Sequence, residues 1–197
     1  MNKNVKIVLA SNSPRRKELL GALELEFEVR TMDGIDETYP QGLTMTGIPE
    51  HISSQKAAAY ALGENELLIA ADTIVYLDGE VLGKPSDAKE ACSMLAKLSG
   101  QTHQVITGVT LRTLDRTHTF SSVTEVSFAD LTKEQIEYYV KNYAPFDKAG
   151  AYGIQEWIGC VGVTSINGSY YNVMGLPVCR LGEVLRQLAP QWMGEYL

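Results

Sequence analysis

Two arginines stand where a helix seldom carries positive charge. The segment KIVLASNSPRRKELL (6–20) predicts a strand over 7–10 and a helix that begins near Ser13. Ser13 is a good N-cap, and the proline after it suits the first helical position. Arg15 and Arg16 then share the first turn with a lysine, where the helix dipole opposes each cation by about 0.3–1 kcal/mol. Either the cations are solvated surface residues, or an anion in front of the helix stabilises them.

We interpret this cluster as an anion site. Guanidinium groups and the free backbone amides of a helix N-terminus both suit phosphate. A helix that directly follows a strand is also where open α/β sheets place such sites. Three cations are more than a ligand with a single carboxylate would require, so the cluster favours a polyphosphate ligand.

An isolated acidic residue, Asp72, interrupts the apolar run LLIAADTIVYL. A buried and unpaired carboxylate is costly, so Asp72 must lie at the edge of a cleft, be paired, or bind a metal. One alternative is a β-bulge in which backbone amides hold the carboxylate. The other is a metal ligand or a general base beside the phosphates.

Three further charged residues are weaker candidates. Lys56 shares a predicted helical face with Ile48 and Ile52, so it either extends to solvent or contributes a cation to a site. Glu37 lies in the turn-rich segment GIDE, where acidic residues are usually just solvated. Lys84 stands between glycine and proline in GKP, which indicates a stiff exposed corner.

The elements that must position these residues alternate between strands and helices. Capping and periodicity predict helices over 48–63, 86–100, 133–143 and from Leu176–Pro177, with a capping box of Thr132 and Gln135 at the start of the third. Alternating apolar residues predict strands over 67–77, 103–114 and 117–128. They also predict a hairpin that turns at Asp78–Gly79 and a second hairpin over 160–175 that turns at Asn167–Gly168. The sequence therefore predicts one α/β domain over 1–197, in which a mixed β-sheet is flanked by helices and two lobes enclose a cleft.

Composition narrows the class of protein. The chain has 197 residues, 45% of them apolar, and a net charge of −7, which argues against a general nucleic-acid or membrane-surface binder. No apolar run approaches a membrane span, and the first residues do not resemble a signal peptide. Cys92, Cys160 and Cys179 are too far apart for a CxxC pair, so we expect isolated small hydrophobic residues in a reduced, cytoplasmic protein. The three histidines lack metal-ligand spacing, and we expect them at the surface or on polar strands.

Seven short motifs together resemble a known family. LASNSPRRKELL, GIDE, SQKAAA, AADTIV, GKP, DKAGAYGIQ and NGSYYNVMGLP follow in that order over most of the chain. One such motif is weak evidence, but seven in register are specific. The set resembles the Maf family of nucleoside triphosphate pyrophosphatases. The resemblance implies a fold like that of inosine triphosphate pyrophosphatases, cleavage of a nucleoside triphosphate to monophosphate and pyrophosphate, a divalent metal (Mg²⁺ or Mn²⁺) and a homodimer.

The resemblance also implies roles for individual residues. Asp72 in AADT would be the proton acceptor, and Glu37 would hold the metal with Asp72; whether Asp72 is base, ligand or both stays open. Lys56 and Lys84 would be further catalytic residues, and Ser11, Arg15 and Arg16 would bind the substrate, with the four cations neutralising and orienting its phosphates.

Three positions indicate the substrate branch. Arg15 after the proline, Thr73 after the catalytic aspartate and Gln155 in GAYGIQ are similar to the branch that acts on dTTP and UTP. A glutamine amide offers a donor and an acceptor that complement the edge of uracil or thymine, so we expect Gln155 to read the base. The alternative is a loop glutamine bonded to backbone. The order of preference among dTTP, UTP and modified pyrimidine nucleotides stays open.

Two functions of other classes also fit the motifs. One is a nucleotide-binding regulator without turnover, linked to septum formation in cell division. The other is a division-related interaction protein with a vestigial pocket. Asp72, Glu37 and Lys84 argue against both, because a simple binder needs the cations but not a lone carboxylate on a strand.

Overall fold

A computed structural model of the chain describes residues 6–188. Within this range the strands are β1 (Lys6–Ala10), β2 (Phe27–Val29), β3 (Glu66–Leu77), β4 (Glu80–Leu82), β5 (Thr102–Arg112), β6 (Thr117–Phe128) and β7 (Val163–Asn167). The helices are α1 (Pro14–Gly21), α2 (Gly47–Ala58), α3 (Ala88–Leu98), α4 (Lys133–Tyr143), α5 (Trp157–Gly162), α6 (Tyr170–Met174) and α7 (Val178–Leu188), with a 3₁₀ turn at Ala149–Ala151.

The strands form one mixed sheet. Their order is β2-β1-β3-β5-β6-β7, and β4 pairs with β3 outside this path. β1 runs parallel to β2 and β3, whereas β4 is antiparallel to β3 and β7 is antiparallel to β6. The predicted fold class, a mixed sheet with helices around it, is therefore confirmed.

The described chain divides into two compact units. Unit 1 comprises residues 6–72, 107–122 and 175–188, and unit 2 comprises residues 73–106 and 123–174. The boundary falls within β3, β5 and β6, so each of these strands belongs to both units along its length. The single domain over 1–197 and its cleft stay predictions.

Local sequence signals account for most element boundaries. The side chains of Ser13, Asp87 and Thr132 each accept a hydrogen bond from a backbone N–H in the first turn of α1, α3 and α4. Gln135 completes the predicted capping box with Thr132. At the β3–β4 turn, Asp78 and Gly79 have positive φ values of 47° and 90°, as a tight hairpin requires.

Helix α2 ends earlier than the sequence predicts. The predicted end was Gly63, but α2 ends at Ala58, and Arg112 from β5 explains the difference. The Arg112 guanidinium donates 2.8 Å hydrogen bonds to the carbonyls of Ala57 and Tyr60. These bonds satisfy one carbonyl in the last turn of α2 and one just after the helix, so no glycine C-cap is needed.

The predicted hairpin at Asn167–Gly168 is wrong in its second half. After β7 the chain enters helix α6 instead of a returning strand. The Ser169 N–H donates to the Thr124 hydroxyl, and the buried Asn172 amide donates to the same hydroxyl, both at 3.0 Å. These bonds tie the start of α6 to β6 and turn the chain away from the sheet.

Two more segments differ from the expectation. The predicted hairpin was to begin at Cys160, but that residue lies in α5, and the short strand β2 was not predicted. β2 has only three residues and lies at the end of the strand order, so it has little alternation to detect. In α5, a Cβ on Gly159 would lie 1.8 Å from the Ile154 carbonyl oxygen, so the absence of a side chain permits this close helical turn.

Cysteine exposure corrects another expectation. Cys160 and Cys179 are exposed and Cys92 is partly buried, so they are not isolated core residues. All three are free thiols, as expected. No helix within residues 6–188 is long and apolar enough to cross a membrane.

Candidate active site

The loop between β1 and α1 is fixed by its own serines. The Ser13 N–H donates to the Ser11 hydroxyl at 3.1 Å, and the Ser13 hydroxyl accepts from the Arg16 N–H at 3.4 Å. The Ser11 side chain therefore shapes the loop that leads into the predicted anion site. Its predicted contact with substrate stays a prediction.

The Arg16 side chain bonds to the backbone of unit 1. Its Nε donates to the Gly175 carbonyl and its Nη1 donates to the Ala71 carbonyl, both at 2.8 Å. Burial lowers the pKa of the guanidinium, and the nearby Asp72 charge opposes that shift. Arg16 therefore connects α1 to the residue before Asp72, a structural role that the charge pattern of the helix did not predict.

Asp72 lies at the end of the β3 segment in unit 1 and pairs with Lys56. The distance from Lys56 Nζ to Asp72 Oδ1 is 2.7 Å, and each side chain is 12% exposed. Lys56 Nζ also lies 3.0 Å from Glu37 Oε1. One ammonium group thus joins two carboxylates that come from different elements, the strand β3 and the irregular segment before α2.

This arrangement brings together three of the predicted site residues. Lys56 does not extend to solvent along an apolar face, because its charge is neutralised by Asp72 and Glu37. Glu37 is about half exposed but holds an ion pair, so it is more than a solvated turn residue. Asp72 adopts the paired alternative among those that the sequence left open.

Helix α2 is held at three levels against one face of β5, and this positions Lys56. A Cβ on Gly108 would lie 2.3 Å from the Pro49 carbonyl carbon, so only glycine permits this approach. Two residues further along β5, the Thr110 hydroxyl lies 2.9 Å from the Ser53 hydroxyl. Arg112, two residues further again, binds the Ala57 carbonyl in the last turn of α2. Alternate residues of the strand therefore meet successive turns of the helix.

The carboxylates of unit 1 could hold a divalent metal as a partial shell. No group of three or more His, Cys, Asp or Glu side chains suited to a metal occurs among residues 6–188. Glu37 and Asp72 supply two oxygen donors that already share a cation, Lys56. Mg²⁺ is usually bound by one or two carboxylates together with water and substrate phosphates. The donor set fits such a site and does not fit an all-protein cage.

Of the other predicted site residues, Arg15 belongs to unit 1, whereas Thr73, Lys84 and Gln155 belong to unit 2. Thr73 follows Asp72 along β3 and is partly buried, and Lys84 is exposed just after β4. The carbonyl of Gly83, next to Lys84, accepts a 3.0 Å hydrogen bond from the Gly150 N–H. The predicted substrate contacts of these residues stay predictions.

Gln155 is an exposed residue on a tight turn in unit 2. The Glu156 N–H donates to the Gly153 carbonyl at 3.0 Å, which closes a four-residue turn around Gln155. The Gly153 N–H donates to the Tyr139 hydroxyl at 3.0 Å, and that hydroxyl donates to Glu156 Oε2. Lys148 Nζ lies 3.1 Å from Glu156 Oε1, so the turn is bonded at both ends.

A buried histidine lies beneath the same segment. His103 was expected at the surface or on a polar strand face, but it is 1% exposed, and its Nε2 lies 2.7 Å from the Tyr152 hydroxyl. The rings of His103, Phe128 and Tyr152 pack edge to face. Burial lowers the pKa of His103 to about 4.

Sequence reasoning missed the residues that support Gln155. Tyr139, Lys148 and Glu156 received no role, although Lys148 stands inside the motif DKAGAYGIQ. A lysine among small and apolar residues was an available signal, because such a position requires a partner for the charge. Its partner, Glu156, follows the motif directly.

The comparison with known families agrees with these motifs. The model of the family described as Maf-like protein matches residues 6–188. The chain belongs to the Maf family. This confirms the resemblance inferred from the seven motifs.

Relatives of this Maf protein share one name. Proteins named dTTP/UTP pyrophosphatase are 59% identical in Phocaeicola vulgatus, over 93% of this chain and 96% of the relative, and 54% identical in Bacteroides thetaiotaomicron, over 92% and 95%. One from Porphyromonas gingivalis is 51% identical over 93% of this chain and 94% of the relative. A solved dITP/XTP pyrophosphatase from Mycobacterium abscessus aligns with a TM-score of 0.46 at 15% identity, covering 94% of this chain and all of that one.

Proposed function

We propose that this Maf protein hydrolyses dTTP and UTP to the nucleoside monophosphate and pyrophosphate, as a nucleoside triphosphate diphosphatase. The name shared by relatives of 51–59% identity over 92–93% of the chain supports the activity and its pyrimidine substrates. The observation in the structure that carries the proposal is the cluster in which Lys56 joins Asp72 to Glu37.

Charge explains why the reaction needs this cluster. A triphosphate carries about four negative charges, which repel an incoming water oxygen. Arg15, Lys56 and Lys84 would neutralise and orient it. Arg16 would contribute its charge while its bonds to the Ala71 carbonyl of β3 and to the Gly175 carbonyl hold its side chain in place.

Asp72 is the proposed proton acceptor. Lys56 Nζ lies 2.7 Å from Asp72 Oδ1 and so fixes the orientation of the carboxylate that would take the proton. The water oxygen forms a bond to the α-phosphorus, the bond from that phosphorus to the bridging oxygen breaks, and the water proton passes to Asp72. Pyrophosphate leaves with the electrons of the broken bond.

Glu37 and Asp72 would hold Mg²⁺ or Mn²⁺ through carboxylate oxygens. When bound, the metal supplies positive charge next to the phosphate oxygens. Because Lys56 already pairs with both carboxylates, its ammonium keeps the two side chains together before any metal is bound.

Gln155 is the proposed reader of the base, with Thr73 as a smaller polar contact. The amide donor and acceptor of Gln155 complement the edge of uracil or thymine, whereas cytosine presents an amino group in place of the carbonyl at position 4, so cytosine is disfavoured. We also propose a homodimer and a cytoplasmic location. Light scattering of the purified protein and cell fractionation test these two points.

A substrate panel tests the proposal. Purified protein with Mn²⁺ should release pyrophosphate from dTTP and UTP, with lower kcat/KM on CTP and GTP, and excess EDTA should abolish turnover. Orthophosphate as the product would overturn cleavage between the α and β phosphates. Nucleotide binding without any turnover would instead favour the non-catalytic regulator.

A further inference from the structure

The turn that carries Gln155 is held by a buried polar network that the reaction itself does not require. Tyr139 is fully buried, Lys148 is 8% exposed, and both reach the carboxylate of Glu156. We propose that Tyr139, Lys148 and Glu156 are positioning residues for Gln155, and that they set how strongly the enzyme prefers uracil and thymine to cytosine. This inference rests on the proposed function, in which Gln155 reads the base.

The Tyr139 hydroxyl connects the two ends of the turn. It accepts the Gly153 N–H at 3.0 Å and donates to Glu156, so its donor and one acceptor site are both used. Burial raises the pKa of Tyr139, which keeps the phenol protonated as a donor. Gly153 and Glu156 are therefore held at a fixed separation on either side of Gln155.

Lys148 fixes the remaining oxygen of Glu156. Its ammonium lies 3.1 Å from Glu156 Oε1 and donates to Asp147 Oδ1 at 2.8 Å. With one oxygen bonded to Tyr139 and the other paired with Lys148, the Glu156 carboxylate cannot rotate without losing a partner. Buried ion pairs often stabilise a fold less than apolar residues of similar volume would, and one attested use of them is to specify a single geometry.

The turn is also confined sterically. A Cβ on Gly153 would lie 3.0 Å from Gln155 Nε2 and 2.9 Å from Glu156 Cδ, so the side chains of Gln155 and Glu156 both lie close against Gly153. On the other side, Gly159 lies directly against the Ile154 carbonyl. Gln155 is thus an exposed side chain on an immobilised backbone.

Rigid support matters because the two bases differ only in hydrogen-bond donors and acceptors. An amide separates uracil from cytosine if its donor and acceptor stay within hydrogen-bond distance and angle of the base edge. A loose amide can shift or rotate and accept the cytosine amino group instead. The network therefore acts on selectivity more than on the chemical step.

The test compares kcat/KM for UTP with kcat/KM for CTP in three variants. Glu156→Ala removes both network contacts, Glu156→Gln keeps an acceptor for the Tyr139 hydroxyl, and Glu80→Gln is the control. Glu80 forms an ion pair with Lys97 at 2.7 Å, also in unit 2, but takes no part in the turn.

We expect Glu156→Ala to lower the UTP-to-CTP ratio about tenfold, through a higher KM for UTP with kcat nearly unchanged. Glu156→Gln should recover part of the ratio, and Glu80→Gln should leave it unchanged. If Glu156→Ala does not fold, as judged by thermal unfolding, Glu156→Gln decides with a fall of about threefold in the same ratio.

Each other outcome overturns the proposal. An unchanged ratio in a folded variant would show that the network does not position Gln155, while wild-type preference for UTP would leave the proposed function intact. Equal losses on UTP and CTP would mean a merely structural role. A wild-type protein that releases pyrophosphate equally from UTP and CTP would refute base reading by Gln155 and this inference with it.

Discussion

In unit 1 the predicted catalytic residues are joined by charge, whereas in unit 2 the predicted base reader has a scaffold of other residues around it. Lys56 contacts Asp72 and Glu37 directly, so the functional groups hold one another. Gln155 is exposed, and the bonds that fix its turn come from Tyr139 and Glu156. In unit 1 the functional side chains themselves form the polar network. In unit 2 the network supports the turn of a functional side chain that takes no part in it.

The difference follows from the two tasks. Charged groups that must bind a triphosphate gain from lying close to opposite charges, because those ion pairs hold the side chains in position before substrate binds. An amide that distinguishes two bases gains from an exact backbone position and has no charge with which to obtain it. Substitutions that remove a charge in unit 1 should therefore slow the reaction step. Substitutions in unit 2 that remove the support of the Gln155 turn should instead alter base selectivity.

The largest effect should come from Asp72→Asn. The change preserves the shape of the side chain and removes its charge, so the proton acceptor and a proposed metal ligand are both lost. We expect turnover of dTTP to fall by about 10²–10⁴. Initial rates of pyrophosphate release measure the effect, with circular dichroism to show that the fold is kept. Near wild-type turnover in this variant would refute the role of Asp72.

Arg16→Ala tests the two carbonyl bonds in unit 1. From the helix dipole alone, the sequence predicts unchanged or slightly higher thermal stability, but the structure reverses the expected sign. Loss of the bonds to Ala71 and Gly175 should lower the free energy of unfolding by roughly 1.5–3 kcal/mol, a typical value for hydrogen bonds of charged groups.

Lys17→Ala is the matched control for this variant. Lys17 is exposed in the same turn of α1, so its removal relieves the helix dipole without breaking the carbonyl bonds. Urea unfolding should show Lys17→Ala within about 0.5 kcal/mol of wild type. Equal stability of the two variants would show that the Arg16 bonds contribute nothing.

Gly108→Ala separates the placement of α2 from the chemistry of Lys56. The new methyl group would meet Pro49 backbone atoms at 2.3–2.4 Å, so α2 must move, with an expected loss of about 1–3 kcal/mol. Because Lys56 moves with the helix, kcat/KM should fall as well. Gly21→Ala, whose Cβ would have only a 3.9 Å contact, should leave both quantities nearly unchanged.

The smallest expected effect is the loss of folding stability in acid that His103 causes in unit 2. His103 has a pKa of about 4 in the folded protein and about 6.5 in the unfolded chain. Between these values the unfolded state binds a proton that the folded state does not, so stability falls as pH falls. We expect a loss of about 1 kcal/mol from pH 6.5 to 5.5.

His103→Phe should remove that slope, whereas His118→Gln, at an exposed position, should retain it. Urea unfolding at the two pH values measures both variants. The interval from pH 5.5 to pH 6.5 lies above the pH range in which Glu66, whose pKa is held at about 2 by Arg30, takes up its proton. A slope that persists in His103→Phe would contradict the assignment.

The fold was largely predictable because its boundaries are local. The caps at Ser13 and Thr132 and the turn at Asp78–Gly79 depend on residues a few positions apart, and the structure has them where expected. The errors arise where distant residues intervene. Arg112 ends α2 from another strand, and Thr124 turns the chain after β7.

The candidate site shows the same limit. Motif order identified Asp72, Lys56 and Glu37 as candidates, but nothing in the sequence shows that one ammonium group bridges both carboxylates. The carbonyl bonds of Arg16 join residues 55 and 159 positions apart, a separation that no periodicity reports. The role of Tyr139 could not be predicted either, because its helical spacing on α4 indicates only that it is a core residue.

The exposed thiols give this chain a built-in means of measurement. Cys160 lies on α5 in unit 2 and Cys179 lies on α7 in unit 1, and both are exposed. Burial raises the pKa of the third, Cys92, which slows its reaction with labelling reagents. A thiol-reactive fluorophore would therefore label one position in each unit, and the fluorescence of each label would follow the unfolding of its own unit in urea with no engineered cysteine.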